Sequence, residues 1–252
     1  RAALRLLRPR LGERRYRAEN LALRDAGRRL APLRNAKALL EAYQDFCRRQ
    51  AKQIAALPLG PLQQQLRAQL ARTRRAQHGH ADATGAAARD LRAVCLRMQG
   101  LRLRSLPSLV PALHQLYRKC RRAMHRARKA NTAQALHEWR KQVKYLAHAL
   151  DALGDASGRH LRRRAEKLAD QLGDEHDLVL LSEALDQTTS ALDAAVLAQL
   201  HALIDRRRAR LRQSAFRLGA RAFRRKPRRY ARKLRRRLAA ESQPPMPARK
   251  AR

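Results

Sequence analysis

The sequence predicts an all-α protein, and two observations carry that prediction. Ala, Leu and Arg dominate the 252 residues, whereas valine occurs five times and isoleucine twice, too few β-branched side chains for a sheet. Apolar residues recur at spacings of three, four and seven, which is the period of one helix face. A chain of this length can bury a substantial core. We therefore expect amphipathic helices that pack around shared apolar faces.

Proline positions predict the boundaries of the first helices. Residues 1–8 form the end of a helix that Pro9 terminates, and residues 11–16 connect it to the next. A long amphipathic pattern covers residues 17–54, with a break expected just before Pro32. Because the chain begins inside an apparent helix and without methionine, we also expect that an N-terminal portion is missing.

Two loops follow in the first half of the chain. Pro58-Leu-Gly-Pro61 is a turn signal that precedes a predicted helix over residues 62–75. The next loop contains His78 and His80 and ends at Asp82, the predicted cap of a helix that reaches Gln99. Two histidines two positions apart are too few for a ligand set, so we predict no metal site there.

The segment around Ser105-Leu-Pro107 separates this half from a second, more clearly helical one. A turn at Asn131 and a glycine at 154 delimit the helix on which the second half is organised. Polar residues and prolines from Gln243 onward predict a disordered tail. The predicted helices of this half cover residues 112–129, 135–153, 161–185, 192–221 and 230–238.

The helix predicted over residues 135–153 carries two parallel stripes. Its apolar stripe, at helical spacing, consists of Leu136, Val143, Leu146, Leu150 and Leu153. Its cationic stripe, at the same spacings, consists of His137, Arg140, Lys141, Lys144 and His148. Like charges at these spacings repel one another in an isolated helix. The pattern therefore indicates that a polyanion binds to this face, and Trp139 beside the apolar stripe is predicted to be a core residue.

The charge balance indicates which kinds of partner the protein binds. The chain contains 59 Lys and Arg against 20 Asp and Glu, a net charge of +39, which favours nucleic acid, polyphosphate or an anionic membrane as the partner. Twelve of the acids lie between Glu138 and Asp205, and none lies between Asp90 and Glu138. This segregation predicts at least one strongly positive face.

The three cysteines predict neither disulfides nor a structural zinc site. Cys47, Cys95 and Cys120 lie far apart, without a CxxC pair, and their odd number does not suit a disulfide framework. Free thiols fit a reducing cytosol. No stretch reaches the ~20 apolar residues of a membrane span. We expect a cytoplasmic protein that does not span a membrane.

The sequence contains no recognisable catalytic motif. A P-loop, a nucleophile elbow and a glycine-rich phosphate cradle are all absent. An enzyme that cleaves polyphosphate would need acids to hold Mg²⁺ beside its cations, and the acids present pair naturally with nearby arginines. His176 and Asp177 are interpreted as a structural histidine paired with a carboxylate. We predict no enzymatic activity, no cofactor and no metal site.

Three segments of the second half resemble one known family in order and spacing. They are His137-Glu-Trp-Arg-Lys-Gln-Val-Lys-Tyr145, Leu172-Gly-Asp-Glu-His-Asp-Leu178 and Leu203-Ile-Asp-Arg-Arg-Arg-Ala-Arg-Leu-Arg212. The chain is similar here to the CHAD family, the conserved-histidine α-helical domains. In the first half, Tyr16-Arg-Ala-Glu-Asn20 and Leu30-Ala-Pro-Leu-Arg-Asn35 show a weaker similarity, with Asn35 where the family usually has Asp. The resemblance extends over most of residues 1–237.

The resemblance implies a fold of two antiparallel four-helix bundles related by a pseudo-two-fold axis. Residues 1–104 would form the first bundle, with its N-terminal helix truncated, and residues 105–238 the second. Residues 239–252 are expected to form a disordered basic tail. The family also implies binding of inorganic polyphosphate in a basic groove between helices, without catalysis by the domain itself.

Matching the family position by position implies a set of polyphosphate-binding cations, to which neighbouring basic stripes add further candidates. The organising helix supplies His137, Arg140, Lys141 and Lys144, and the last long helix supplies Arg206, Arg207 and Arg210. The helices before them supply Arg5, Arg28, Arg34, Lys119 and Arg122.

The predicted function is therefore polyphosphate binding, with targeting to polyphosphate granules in a bacterial cytoplasm. Three alternatives stay open at this point. The first is a non-specific nucleic-acid-binding protein, although nine aromatic residues give weak support for base stacking. The second is a regulatory part of a triphosphate-processing enzyme, since such domains occur fused to triphosphatases. The third is an adaptor for anionic membrane or granule surfaces.

Overall fold

The all-α prediction is confirmed. The computed structural model describes residues 1–79, 83–101, 105–154, 158–187 and 192–241, and in these ranges it contains ten α-helices, one 3₁₀ turn and no strand. No helix within the described ranges is long and apolar enough to cross a membrane. The predicted cap Asp82, the side chains of His78 and His80, and the chain beyond Glu241 lie outside the described residues.

The first half contains five helices, which are α1 (Ala2–Arg29), α2 (Ala31–Arg49), α3 (Ala51–Ile54), α4 (Gly60–Gly79) and α5 (Ala83–Met98). A 3₁₀ turn (Leu106–Leu109) leads into the second half, which contains α6 (Val110–Ala130), α7 (Ala133–Asp151), α8 (Arg159–Asp186), α9 (Ala194–Ala222) and α10 (Pro227–Glu241). Ala239 and Ala240, assigned above to the tail, thus belong to the last helix, as suits strong helix formers.

The first helix breaks at Gly12 and not at Pro9, so the prediction of a connector over residues 11–16 was wrong. Helical geometry continues through Pro9, and only Gly12 departs from it, with φ 72° and ψ 163°. A proline removes one hydrogen bond and bends a helix, whereas glycine reaches a positive φ without steric cost. The break before Pro32 is confirmed, since α1 ends at Arg29 and Pro32 lies in the first turn of α2.

The start of α7 is fixed by its two preceding residues. Asn131 adopts the left-handed conformation with φ 48° and closes α6. Thr132 then caps α7, because its hydroxyl accepts a hydrogen bond from the Ala135 amide at 3.2 Å. Such a cap satisfies a donor that the first helical turn leaves free. The predicted organising helix is confirmed within two residues at each end.

Two hydrophobic clusters share the long helices α8 and α9. The larger cluster joins α6, α7 and α10 to the N-terminal half of α8 and the C-terminal part of α9. The second joins α2 and α4 to the opposite ends of α8 and α9, so these two helices run antiparallel. The second cluster therefore draws on both sides of residue 104. The boundary there, the two four-helix bundles and their pseudo-two-fold relation remain predictions.

Trp139 is the core anchor that the sequence predicts. Its side chain is fully buried and stacks on Phe216 of α9, with ring centroids 5.2 Å apart. Gly219, one turn further along α9, makes this approach possible, since an added Cβ there would lie 2.7 Å from Trp139 Cζ2 and 2.8 Å from Met124 Sδ. The position therefore requires glycine for reasons of space.

Two buried glutamates connect pairs of helices through arginines. Glu175 of α8 is 2 % exposed and accepts hydrogen bonds from Arg212 Nε at 2.9 Å and Arg208 Nε at 3.3 Å, both on α9. Glu19 of α1 binds Arg97 of α5 through both carboxylate oxygens, each at 2.8 Å. Buried carboxylates persist when charge-assisted hydrogen bonds satisfy them in this way.

Replacing Glu175 with Ala is expected to lower the free energy of unfolding by about 3–5 kcal/mol, because two half-buried guanidinium groups would lose their partner. Chemical denaturation measures this change. The control is Asp205→Ala, which removes the exposed partner of the same Arg208 and should cost less than about 1 kcal/mol. Equal effects of the two substitutions would contradict a special role for the buried carboxylate.

Replacing Gly219 with Ala is expected to destabilise the protein by about 1–3 kcal/mol, because the methyl group overlaps Trp139 and Met124. The matched control is Gly27→Ala in α1, where nothing lies within 4 Å of an added Cβ. That substitution should stabilise by up to about 1 kcal/mol through helix propensity. Thermal melts of both variants provide the comparison, and a neutral Gly219→Ala variant would refute the steric argument.

Candidate polyanion-binding site

Helix α7 occupies a central position and packs against three neighbouring helices. It packs between α6 and α8 and also contacts α1. Its apolar stripe is almost completely buried, with Leu136, Val143, Leu146 and Leu150 at most 1 % exposed. His137 and Arg140 are half-buried beside this stripe. The helix therefore places His137 and Arg140 at a junction between helices, whereas Lys144 and His148 of the same stripe are exposed.

Arg140 is the most enclosed cation of the stripe. Its Nε is buried without a hydrogen-bond partner and lies 3.9 Å from the position of a Cβ on Gly173 of α8. Burial lowers the pKa of its guanidinium, Asp177 opposes this shift, and Arg34 adds to it. An unpaired buried donor of this kind is costly, so the geometry favours an acceptor that is supplied from outside.

Arg34 of α2 and Lys144 of α7 join Arg140 in one group. Burial is the largest cause of a lowered pKa for Lys144, and repulsion from Arg140 and Arg34 adds to it. Asp177 and Asp170 of α8 act in the opposite direction. Helices α2, α7 and α8 thus bring together cations that are 110 positions apart in sequence, together with two carboxylates that moderate their repulsion.

His137 and His176 extend this group along α7 and α8. Their ring centroids are 4.5 Å apart at an interplanar angle of 51°, and His137 Nδ1 is buried without a partner. Burial, followed by repulsion from Arg140, His137 and Lys144, lowers the pKa of His176 to about 4. The expectation that His176 pairs with a carboxylate was wrong, because in the described residues its ring contacts another histidine.

A second group of cations lies where α1 and α6 meet α7. The Arg5 guanidinium lies over the Tyr145 ring, 3.9 Å from its centroid, and Arg5 Nε is buried without a partner. Lys119 of α6 has a lowered pKa, caused first by burial and then by Arg5 and Arg8. Arg5, Arg8 and Lys119 line a cavity of about 430 Å³ together with Glu13, which forms an ion pair with Arg8 at 2.7 Å.

Arg207 lies in a third, mixed group. It lines a cavity of about 490 Å³ between α2, α8 and α9, together with Arg48 and Arg49 and the carboxylates of Asp45 and Asp174. Burial, followed by repulsion from Asp45, raises the pKa of Asp174. Asp177 lines the same cavity. Since Asp177 also interacts with Arg140, this group adjoins the one on α7.

The other predicted residues form ion pairs or hydrogen bonds with neighbours on their own helix, or are exposed. Lys141 pairs with Glu138 at 2.7 Å, Arg28 lies 3.7 Å from Asp25, and Arg206 donates to the Ala202 carbonyl. Arg122 and Arg210 are exposed, on α6 and α9. None of these five residues has a buried nitrogen without a partner in the described part of the chain, in contrast to Arg5, His137 and Arg140.

The sequence analysis did not predict that Arg8 and Arg49 line cavities beside the candidate site. It also did not predict that the His176 ring lies against His137. Arg8 follows Arg5 by three positions, which is the spacing of one helix face, so a signal for it was present. Arg49 carried no such signal, because its place in the site depends on how α2 packs against α8. No group of three or more His, Cys, Asp and Glu that could hold a metal ion occurs among the residues that the structure describes.

These observations define a class: an all-helical protein in which cations from several helices converge around the half-buried side chains of Arg5 and Arg140. The family profile described as the CHAD domain matches residues 1–186, and the chain belongs to this family. The match ends at the last residue of α8, so Arg206, Arg207 and Arg210 lie beyond it. No curated protein and no solved structure gives a significant match to the chain.

Proposed function

We propose that the protein binds inorganic polyphosphate, without cleaving it, through the cations on and around α7. The observation that carries the proposal is the set of buried nitrogens without partners on Arg5, His137 and Arg140. The two arginine Nε–H groups need acceptors, and His137 Nδ1 becomes a third donor when the ring is protonated. Phosphate oxygens accept charge-assisted hydrogen bonds from guanidinium and imidazolium groups. The membership in the CHAD family, whose resemblance implies this ligand, supports the same conclusion.

The mixed composition of the site suits a long, flexible phosphate chain. Arginine presents a planar fork to phosphate oxygens, and lysine presents a mobile point charge. The groups around Arg140 and around Arg5 both border α7, and we expect a flexible chain with repeated charges to extend from one group to the other. Release of condensed counterions would supply much of the binding free energy, and affinity should therefore fall steeply with salt.

The aromatic residues argue against single-stranded nucleic acid as the preferred ligand. Seven of the nine rings are buried, and the remaining two, Tyr145 and Phe216, are covered by the guanidinium groups of Arg5 and Arg128. Base stacking needs an accessible ring face, and the chain offers none. Nucleic acid would then bind through its backbone charge alone, as a weaker partner.

The central test replaces Arg140 and Lys144 with Gln together. Affinity for labelled long-chain polyphosphate at physiological salt should fall about tenfold or more, because each charge-assisted hydrogen bond lost costs about that factor. Arg72→Gln/Arg75→Gln on α4 is the matched control, since both residues are exposed and the change in net charge is the same. Equal losses in the two variants, with native circular dichroism, would remove α7 from the site.

Competition separates polyphosphate from nucleic acid. We expect duplex DNA and single-stranded RNA to displace labelled polyphosphate only at a large excess of phosphate, because neither can use stacking and duplex DNA is too wide to enter a junction between helices. If either nucleic acid competes at equal phosphate concentration, the protein is a general polyanion binder that responds to the net charge of +39.

Binding should strengthen as pH falls from 8 towards 5. In the free protein, burial and nearby cations lower the pKa of both His137 and His176. A bound polyanion raises these pKa values, so protons are taken up on binding and affinity grows as they are supplied. Titration calorimetry in buffers of different ionisation enthalpy measures this uptake, and His137→Gln/His176→Gln should abolish it. A pH-independent affinity would exclude both histidines.

We further propose that this binding recruits the protein to polyphosphate granules. In a bacterium that accumulates such granules, a fluorescent fusion should localise to them, whereas Arg140→Gln/Lys144→Gln should be diffuse. The Arg72→Gln/Arg75→Gln control should still localise. A granule signal that is unaffected by loss of polyphosphate binding would indicate recruitment by another component.

A further inference from the structure

A second cation-lined cavity lies away from α7, where the N-terminus of α8 meets the C-terminus of α9 and one side of α10. Its volume is about 350 Å³, within the range of small-ligand pockets. Its walls include Leu161, Tyr230 and Leu234, and no carboxylate is among the lining residues. The cations around it are Arg164, Arg221, Arg224, Arg225, Lys233 and Arg237.

Ordinary surface electrostatics do not explain this cluster. None of Arg221, Arg224, Arg225, Lys233 and Arg237 forms an ion pair within the described part of the chain. The C-terminal dipole of α9 stabilises cations at its own end. However, the cavity also borders the N-terminus of α8, whose dipole is positive and disfavours them. Cations and a helix N-terminus that face the same space favour an anion within it.

The turn between α9 and α10 is held in place by hydrogen bonds. The Tyr117 hydroxyl donates to the Arg225 carbonyl at 3.0 Å, and the Phe223 amide donates to the Gly219 carbonyl at 2.8 Å. Tyr117 is itself 1 % exposed and stacks on Tyr230 with centroids 4.2 Å apart. The backbone that carries Arg224 and Arg225 is therefore fixed against the core before any ligand binds.

Gly158 and Tyr230 each contribute to the shape of the cavity. Arg237 Nη1 lies 3.1 Å from the position of a Cβ on Gly158, whose φ is +101°, so a larger residue there would strain the backbone and would displace this guanidinium by a few tenths of an ångström. Tyr230 lines the cavity, is 6 % exposed, and its hydroxyl has no hydrogen-bond partner. The hydroxyl oxygen is closed off from solvent, so a ligand in the cavity would contact the rest of the Tyr230 side chain.

We propose that this cavity binds a small organic phosphate: its apolar body would pack against Leu161, Tyr230 and Leu234, and its phosphates would be held by Arg224, Arg237 and the cations beside them. The apolar wall distinguishes the site from the groups around α7, since an inorganic phosphate chain has no apolar part to bury. The proposal does not depend on polyphosphate binding, and its residues are separate from those of that site.

The test is calorimetric titration of the full chain with ATP, tripolyphosphate and adenosine. ATP should bind about tenfold more tightly than tripolyphosphate, because only ATP also buries an apolar group. Adenosine alone should bind much more weakly than ATP. If tripolyphosphate binds as tightly as ATP, the apolar wall contributes nothing and the proposal is wrong.

Variants then locate the binding. Arg224→Gln/Arg237→Gln should lower the affinity for ATP about tenfold or more, whereas Arg72→Gln/Arg75→Gln should change it less than about threefold, as expected for distant screened charges. Arg140→Gln/Lys144→Gln should also leave ATP binding intact, which separates this site from polyphosphate binding. If the α7 variant abolishes ATP binding and the cavity variant does not, ATP binds at α7 and the proposal is overturned.

A variant that leaves the charge unchanged provides an independent check. Leu161→Trp would fill the cavity, so ATP binding should be lost, while polyphosphate binding at α7 stays unchanged. Circular dichroism establishes that the variant is folded. If ATP binds a folded Leu161→Trp protein with wild-type affinity, the organic part of the ligand does not enter the cavity.

Discussion

The arrangement of α8 and α9 depends on the buried carboxylate of Glu175, which two arginines of α9 enclose. Helices α8 and α9 each contribute to both large hydrophobic clusters, so their alignment sets the position of one cluster relative to the other. A buried charge pair tolerates little displacement, because each ion has lost its water. Helices α2 and α7 both pack on α8, and the place where their cations meet is fixed in consequence.

A chain with a net charge of +39 has to position cations against their mutual repulsion. The structure does this in part with carboxylates placed among the arginines, such as Asp177 beside Arg140, and in part by burial, which weakens the charged form of Lys144 and His176. Both arrangements leave some buried N–H donors without a hydrogen-bond acceptor. In the proposed function a polyanion would supply those partners, so the features that strain the free protein would favour its ligand.

The cation groups differ in chemistry although all are rich in arginine. The group around Arg140 combines cations with two histidines. The cavity beside α10 combines cations with an apolar wall, and its turn is held by Tyr117. Net charge by itself would make these regions equivalent. Their different neighbours predict different ligands.

The sequence by itself determined the helical class, the helix boundaries to within a few residues at most positions, the burial of Trp139 and the cationic stripe of α7. These properties follow from periodicity and from local signals such as the Thr132 cap, which act over one or two helical turns. Only the tertiary structure decided that Arg34 joins Arg140, that Asp177 lies beside Arg140, and that the last helices form a further cavity. Such proximities depend on how apolar faces far apart in the chain pack together, and no local pattern encodes that.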